Sequence, residues 1–212
     1  MNGDPGLIGV GIDVGGPRKG FHAVALRDRG VSAVLSSDSP AHVAGWCRAQ
    51  GASAIGIDAP CHWRLSGRAR PCERELAGLG LPVFSTPNRA IGEVHPFYRW
   101  MVNGTALYAC LLSHYRLYDG RCSTGGPLCF ETFPQAIACA LAGKRLLAKH
   151  KRVDRRRLLE DAGIATESLT CIDQVDAALC AVAAQHVLAG SFNALGEAGE
   201  GFILMPDHSP FA

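Results

Sequence analysis

No apolar run in the sequence approaches the ~18 residues needed to cross a bilayer. The start, Met-Asn-Gly-Asp-Pro-Gly, has neither the basic n-region nor the apolar h-region of a secretory leader. A soluble, cytoplasmic protein without a membrane partner is therefore expected. There is no C-x-x-C pair, and the nine cysteines are odd in number, which argues against a disulfide framework and a structural zinc site and leaves most of them as small, reduced, buried residues. Internal repeats and low-complexity segments are absent as well. The net charge of +2 on 212 residues points to no partner by itself, yet eight of the 21 basic residues fall in one stretch: Lys144, Arg145, Lys149, Lys151, Arg152, Arg155, Arg156 and Arg157. That patch is a solvated helix face or a contact for nucleic acid.

At 48% hydrophobic, the chain can fill one core, and one domain is expected over residues 1–212. In Ile8-Gly-Val-Gly-Ile-Asp-Val, apolar residues alternate with small ones, as in a buried strand that delivers Asp13 to its carboxyl end before the Gly15-Gly16 turn. Phe21 to Leu26 reads as the returning strand and Val31 to Ser36 as a third, forming an antiparallel meander. Ser39-Pro40 opens a helix closed by Gly51, and Ala54 to Asp58 is a parallel strand that again ends in a carboxylate. Residues 61–126 read as a mostly helical insertion with pieces at Pro71 to Ala77, Pro96 to Val102 and Thr105 to Tyr118. Leu128 to Thr132 is a further strand, bearing Glu131, and Pro134 starts a helix. Asp154 to Ala162 is predicted as a basic helix. The last helix starts near Thr170 in a capping box with Asp173, and runs to Leu188. Asp173 and Asp176 share a face that continues through Ala177, Cys180 and Ala184, small residues that let the helix lie close to the sheet. Gly201 to Pro206 is an edge strand or a packed arm.

Asp13, Asp58, Glu131, Asp173 and Asp176 thus gather from three strand ends and one helix. Carboxylates so grouped raise one another's pKa, a penalty that divalent ions remove. Two Mg²⁺ or Mn²⁺ ions on Asp13, Asp58, Glu131 and Asp176, with Asp173 assisting, would suit phosphodiester hydrolysis. Lys19, Arg64, Arg70 and Arg74 lie near these acids in sequence and are expected to hold phosphates. Each acid also has a plain alternative. Asp13 and Asp58 could serve their turns, Glu131 the helix start at Pro134, and Asp173 its cap. Trp63, Phe97, Tyr98, Trp100 and Tyr108 suit either base stacking or packing within the insertion.

The order of elements, with Gly11-Ile-Asp-Val-Gly-Gly16 and Lys19-Gly-Phe21, resembles the RNase H-like fold. Asp173-Gln-Val-Asp-Ala-Ala-Leu179 is similar to the terminal acidic helix of the RuvC Holliday-junction resolvases. Ile55-Gly-Ile-Asp-Ala-Pro60, Cys72-Glu-Arg-Glu-Leu76, Glu131-Thr-Phe-Pro134 and Glu200-Gly-Phe-Ile-Leu-Met-Pro206 resemble the domain of unknown function 429 family, described as predicted nucleases of RNase H fold. The resemblance implies an α/β fold with a mixed five-stranded sheet flanked by helices. It also implies a metal-dependent nuclease acting on DNA or RNA, a homodimer being left open. Asp58 stands where the resolvases carry Glu, and the insertion has no counterpart in them. Two alternatives use the same fold: an actin-like or sugar-kinase-type phosphotransferase binding Mg-nucleotide, and a catalytically silent nucleic-acid-binding module. The first normally needs a second Gly-rich turn, where this chain has Asp173-Gln-Val-Asp176.

Overall fold

The computed structural model describes residues 6–81, 83–121 and 126–207; the first five residues and Cys122 lie outside this range. In chain order, β1 (Ile8–Val14), β2 (Phe21–Arg27) and β3 (Gly30–Ser37) form the meander, followed by α1 (Pro40–Ala49) and β4 (Ala52–Asp58). The insertion holds α2 (Pro71–Gly78), α3 (Arg89–Gly92), α4 (Arg99–Leu111) and the two-residue β5 (Arg116–Leu117). Then come β6 (Leu128–Glu131), α5 (Pro134–Ala142), α6 (Lys151–Asp161), α7 (Ile172–Leu188), β7 (Phe192–Glu197) and β8 (Gly201–Pro206).

The sheet runs β3-β2-β1-β4-β6-β8-β7, with β5 pairing β6 beside that path. β2 is antiparallel to β1 and β3, whereas β4 follows β1, β6 follows β4 and β8 follows β6 in parallel. Its first five strands have the RNase H-like arrangement. The expected five-stranded sheet is therefore extended to eight strands by β5 and by the β7–β8 hairpin. Residues 201–206 are not the edge: β7 is, and β8 lies inside it. β7 was not legible because Phe192-Asn-Ala-Leu-Gly-Glu is half-buried to exposed throughout and has no strong alternation.

The helical pieces expected at 96–102 and 105–118 merge into one helix, α4, entered through a 3-10 turn at Pro96–Tyr98 and ending at Leu111, short of the expected Tyr118, with β5 following it. Gly104 does not break it, because this position is where the helix meets β4's end: a Cβ there would sit 2.6 Å from the Ala59 side chain. The basic helix starts three residues earlier than expected, at Lys151. Ser39 caps α1 as expected, its Oγ accepting from the His42 N–H at 3.2 Å. Among the described residues no helix is long and apolar enough to cross a membrane, and the eight described cysteines are free.

The alternation within β1 decides what each side of the sheet can do. Ile8, Val10, Ile12 and Val14 belong to the core beneath α1 and α4, with Ile55 and Ile57 of β4. Gly9, Gly11 and Asp13 point the other way, toward α7. A Cβ at Gly11 would run into the main chain of Ala177 and Ala181, one at Gly9 would lie 2.9 Å from the Ala181 carbonyl oxygen, and one at Gly56 would lie 2.6 Å from that of Cys180. α7 thus rests on strand backbone, and it is buried over most of its surface because α5 and α6 also pack against it. Gly11→Ala is expected to cost about 3 kcal/mol, the upper end for overpacking, since main chain must move. Gly45→Ala in α1, where the added methyl meets only ordinary contact, should gain up to ~1 kcal/mol from helix propensity. Urea denaturation of both variants checks this; equal stabilities would remove the close approach as a determinant.

Candidate active site

Because Asp13 shares the face of Gly9 and Gly11, it emerges where the first turns of α7 cross the sheet. Oxygens of Asp13, Asp173 and Asp176 lie within 4.8 Å of one another. Asp58 is the register partner of Asp13 on the neighbouring strand and stands beside this group. Asp13 and Asp176 are buried, and Asp58 and Asp173 partly so. Burial, followed by the charges of Asp176 and Asp173, pushes the Asp13 carboxyl up from 3.8 to about 7. Burial, then Asp13 and Asp176, raises Asp58 well above its ordinary value.

Three cations answer the acids. Lys19, exposed on the turn after β1, donates to Asp173 Oδ1 at 2.5 Å. From α6, Lys151 Nζ lies 3.6 Å from Asp176 Oδ2, and Arg155 donates to Asp176 Oδ1 and, through Nη2, to Gln135 Oε1 at 2.9 Å. Arg155 Nε is buried and has no hydrogen-bond partner among the described residues. The basic segment is therefore divided. Arg155 and Lys151 serve the acids, Arg156 holds the carbonyls of Thr166 and Leu169 at 2.7 Å each, and Arg152 and Lys149 stay exposed.

Asp173 does not cap α7. Cys171 is the N-cap residue, and the Gln174 side chain accepts from the Thr170 N–H at 2.6 Å, leaving Asp173 to face the cluster. His22 also approaches it, unforeseen from sequence: its Nε2 is 3.9 Å from Asp173 Oδ2 while Nδ1 pairs with Ser36 Oγ at 2.9 Å. Burial lowers the His22 pKa against the pull of Asp173. The signal was its place on β2 opposite Asp13, a register the turn at 15–20 imposes.

Glu131 stands apart from the cluster. It pairs with Ile57, whose side chain lies on the α1 side, whereas the preceding Phe130 joins the core under α7. Its oxygens accept from Arg70 Nη2 at 2.5 Å, Arg70 Nη1 at 2.8 Å and the Cys61 N–H at 2.9 Å. Arg70, expected to hold phosphate, is 1% exposed and donates through Nε to Glu73 at 2.9 Å, so it is enclosed by protein on all sides. Arg64 is half-buried and held by the carbonyls of Thr86 and Gly67, and Arg74 is exposed but turned onto the Ala69 carbonyl at 2.6 Å. Of the four basic residues expected to contact substrate, Lys19 alone reaches the acidic cluster.

The donor set fits hard divalent ions: carboxylate oxygens only, from rigid elements, with two acids held in a protonation state that a cation would reverse. Among solved structures the chain is similar to Thermus thermophilus RuvC, at 15% identity and a TM-score of 0.42 over 87% of this chain and 97% of that one. No functionally curated protein matches the chain. The chain belongs to the family described as proteins of unknown function (DUF429), whose model matches residues 11–200.

Proposed function

We propose that this protein is a divalent-metal-dependent nuclease that hydrolyses phosphodiester bonds in DNA or RNA. The observation that carries this reading is the convergence of Asp13, Asp173 and Asp176, with Asp58 beside them, on one largely buried point. An enzyme of acid–base chemistry needs one or two such groups. Four acids, two of them forced toward the neutral form, make a site for cations and for the phosphate oxygens those cations attract.

Asp13, Asp58, Asp173 and Asp176 would hold Mg²⁺ or Mn²⁺, which when bound supplies a Lewis acid for activating water and stabilising a leaving oxygen. Arg155, itself held by Gln135, fixes one oxygen of the Asp176 carboxylate, and Lys151 lies 3.6 Å from the other. Lys19, on an exposed turn beside the cluster, is placed so that its ammonium could hold a backbone phosphate. Asp13 would hold a cation as the carboxylate, so metal affinity would rise with pH up to about 7. The phosphotransferase alternative is disfavoured by residues 170–176, which begin an acidic helix where a second phosphate-binding turn would be needed.

The test is a cleavage panel with labelled single-stranded DNA, duplex DNA, RNA, RNA–DNA hybrid and a four-way junction, each with Mg²⁺ or Mn²⁺. Cutting that requires metal is the expected result. In parallel, Mn²⁺ at 100 times its Kd should add about 2.7 kcal/mol to stability at pH 8. A melting temperature indifferent to saturating metal would sink the site.

A further inference from the structure

The insertion exposes two large apolar rings and half-buries a third against the core. Phe84 is 67% exposed and Phe97 50%, and they meet edge to face with centroids 5.6 Å apart. Phe97 in turn packs edge to face on Tyr98 at 5.1 Å. Beside them, half-buried Trp100 forms a wall of two clefts. One, of about 230 Å³, is lined by Phe84 and Asp58 among others. The other, of about 320 Å³, is lined by Phe97 with Arg18, Lys19 and Arg99. Arg18 and Arg99 are exposed and have no ion-pair partner among the described residues, and Lys19 is the residue already bonded to Asp173. The ridge is tied to the turn that follows Asp13, because the Asn103 side chain donates to the Gly15 carbonyl at 2.9 Å.

Exposed rings next to unpaired guanidinium groups suit a ligand with flat apolar faces on an anionic backbone. From this we infer that the ridge of Phe84, Phe97 and Trp100 is a stacking platform for unpaired bases, and that the substrate strand is single-stranded where it enters the site. Arg18, Arg99 and Lys19 hold its phosphates, the rings take its bases, and the path leads from the cationic cleft past Trp100 to Asp58. In a duplex the bases stack on each other and offer the rings nothing, so only the phosphate contacts would remain. Stacking of this kind tolerates any base, so weak sequence preference follows.

This inference deepens the nuclease reading and rests on it for the direction of the strand, but binding can be measured without cleavage. Fluorescence anisotropy with Ca²⁺ in place of Mg²⁺ compares labelled single-stranded DNA, single-stranded RNA and a blunt duplex, for wild type and for the double variant Phe84→Ala/Phe97→Ala. Both rings are exposed, so the variant should keep its fold, as its melting curve will show. Wild type should prefer either single strand over duplex, and the variant should bind single strands about tenfold or more weakly while its duplex binding is unchanged. Equal affinity for duplex and single strand, no binding of either, or a variant indistinguishable from wild type would overturn the platform. Loss of single-strand binding in the variant without cleavage of any substrate by wild type would keep the platform and remove the nuclease.

Discussion

Asp13→Asn should abolish metal-dependent cleavage and, in the absence of metal, raise the melting temperature at pH 8. The two effects have one origin. In the folded protein the Asp13 carboxyl titrates near 7, whereas in the unfolded chain it titrates near 3.8. Between those values the folded state holds a proton that the unfolded state has released. Stability of the metal-free protein therefore falls as pH rises through that window and stays low above it, at up to about 1.4 kcal/mol per pH unit. Asp58, raised in the same direction, adds to the loss. Asparagine keeps the shape and removes the charge, so the penalty at pH 8 disappears. Each kcal/mol regained is worth roughly 2–4 °C in a chain of this size.

Asp58→Asn should behave alike, while Asp176→Asn should not, because it leaves buried Arg155 without its carboxylate. Loss of cleavage by Asp13→Asn on the order of 10³-fold or more is expected if the group binds the ion. Thermal melts in a chelator at pH 5 and pH 8, alongside the cleavage assay, check both halves. A variant that melts lower than wild type at pH 8 would mean that Asp13 is a structural aspartate.

Replacing Arg70 by Met is expected to be strongly destabilising where β6 ends. The guanidinium is surrounded by Glu73, Glu131 and the Glu200 carbonyl, its Nη1 lying 3.3 Å from the last. Glu73 also accepts from the Thr86 N–H at 2.9 Å and from its hydroxyl at 2.5 Å. The Glu200 carboxylate accepts from the N–H groups of Leu65 and Ser66. Burial opposes the charge on Arg70, and Glu131 more than restores it, so the group stays firmly protonated. Without it two buried carboxylates lose their cation, at a cost of roughly 3–5 kcal/mol, about 10 °C in melting temperature. The double variant Arg70→Met/Glu131→Gln should recover part of that loss. Glu131→Gln should leave Mn²⁺ affinity at the aspartate cluster unchanged, as isothermal titration can measure. A large fall in affinity would return Glu131 to the proposed metal site.

The contrast between Glu131 and the aspartates indicates how far the sequence could be read. Asp13 was legible because Gly9 and Gly11 precede it at period two, and small residues on α7 answer them. Glu131 sits at the end of a strand just as Asp13 does, but its parity puts it on the opposite face, and parity in a four-residue strand shows only once the register with β4 is known. Asp173 matched a capping box in sequence, yet Gln174 reached Thr170 first and freed it. Arg70 looked like a phosphate ligand because it lies near the acidic strand ends in sequence. Its burial depends on Glu131 and Glu200, 61 and 130 positions away, which no local pattern encodes. The cations on Asp176 come from a helix whose composition was visible but whose orientation was not.

α7 lies directly on strand main chain at Gly9, Gly11 and Gly56, with no side-chain layer between. The span between Asp13 and Asp176 is consequently gauged by peptide units, which do not shrink or swell when core residues are exchanged. A cavity elsewhere in the core can soften the protein without widening that gap. Tolerance toward ions of different radius should thus be narrow, and should loosen only when one of those three glycines gains a methyl group.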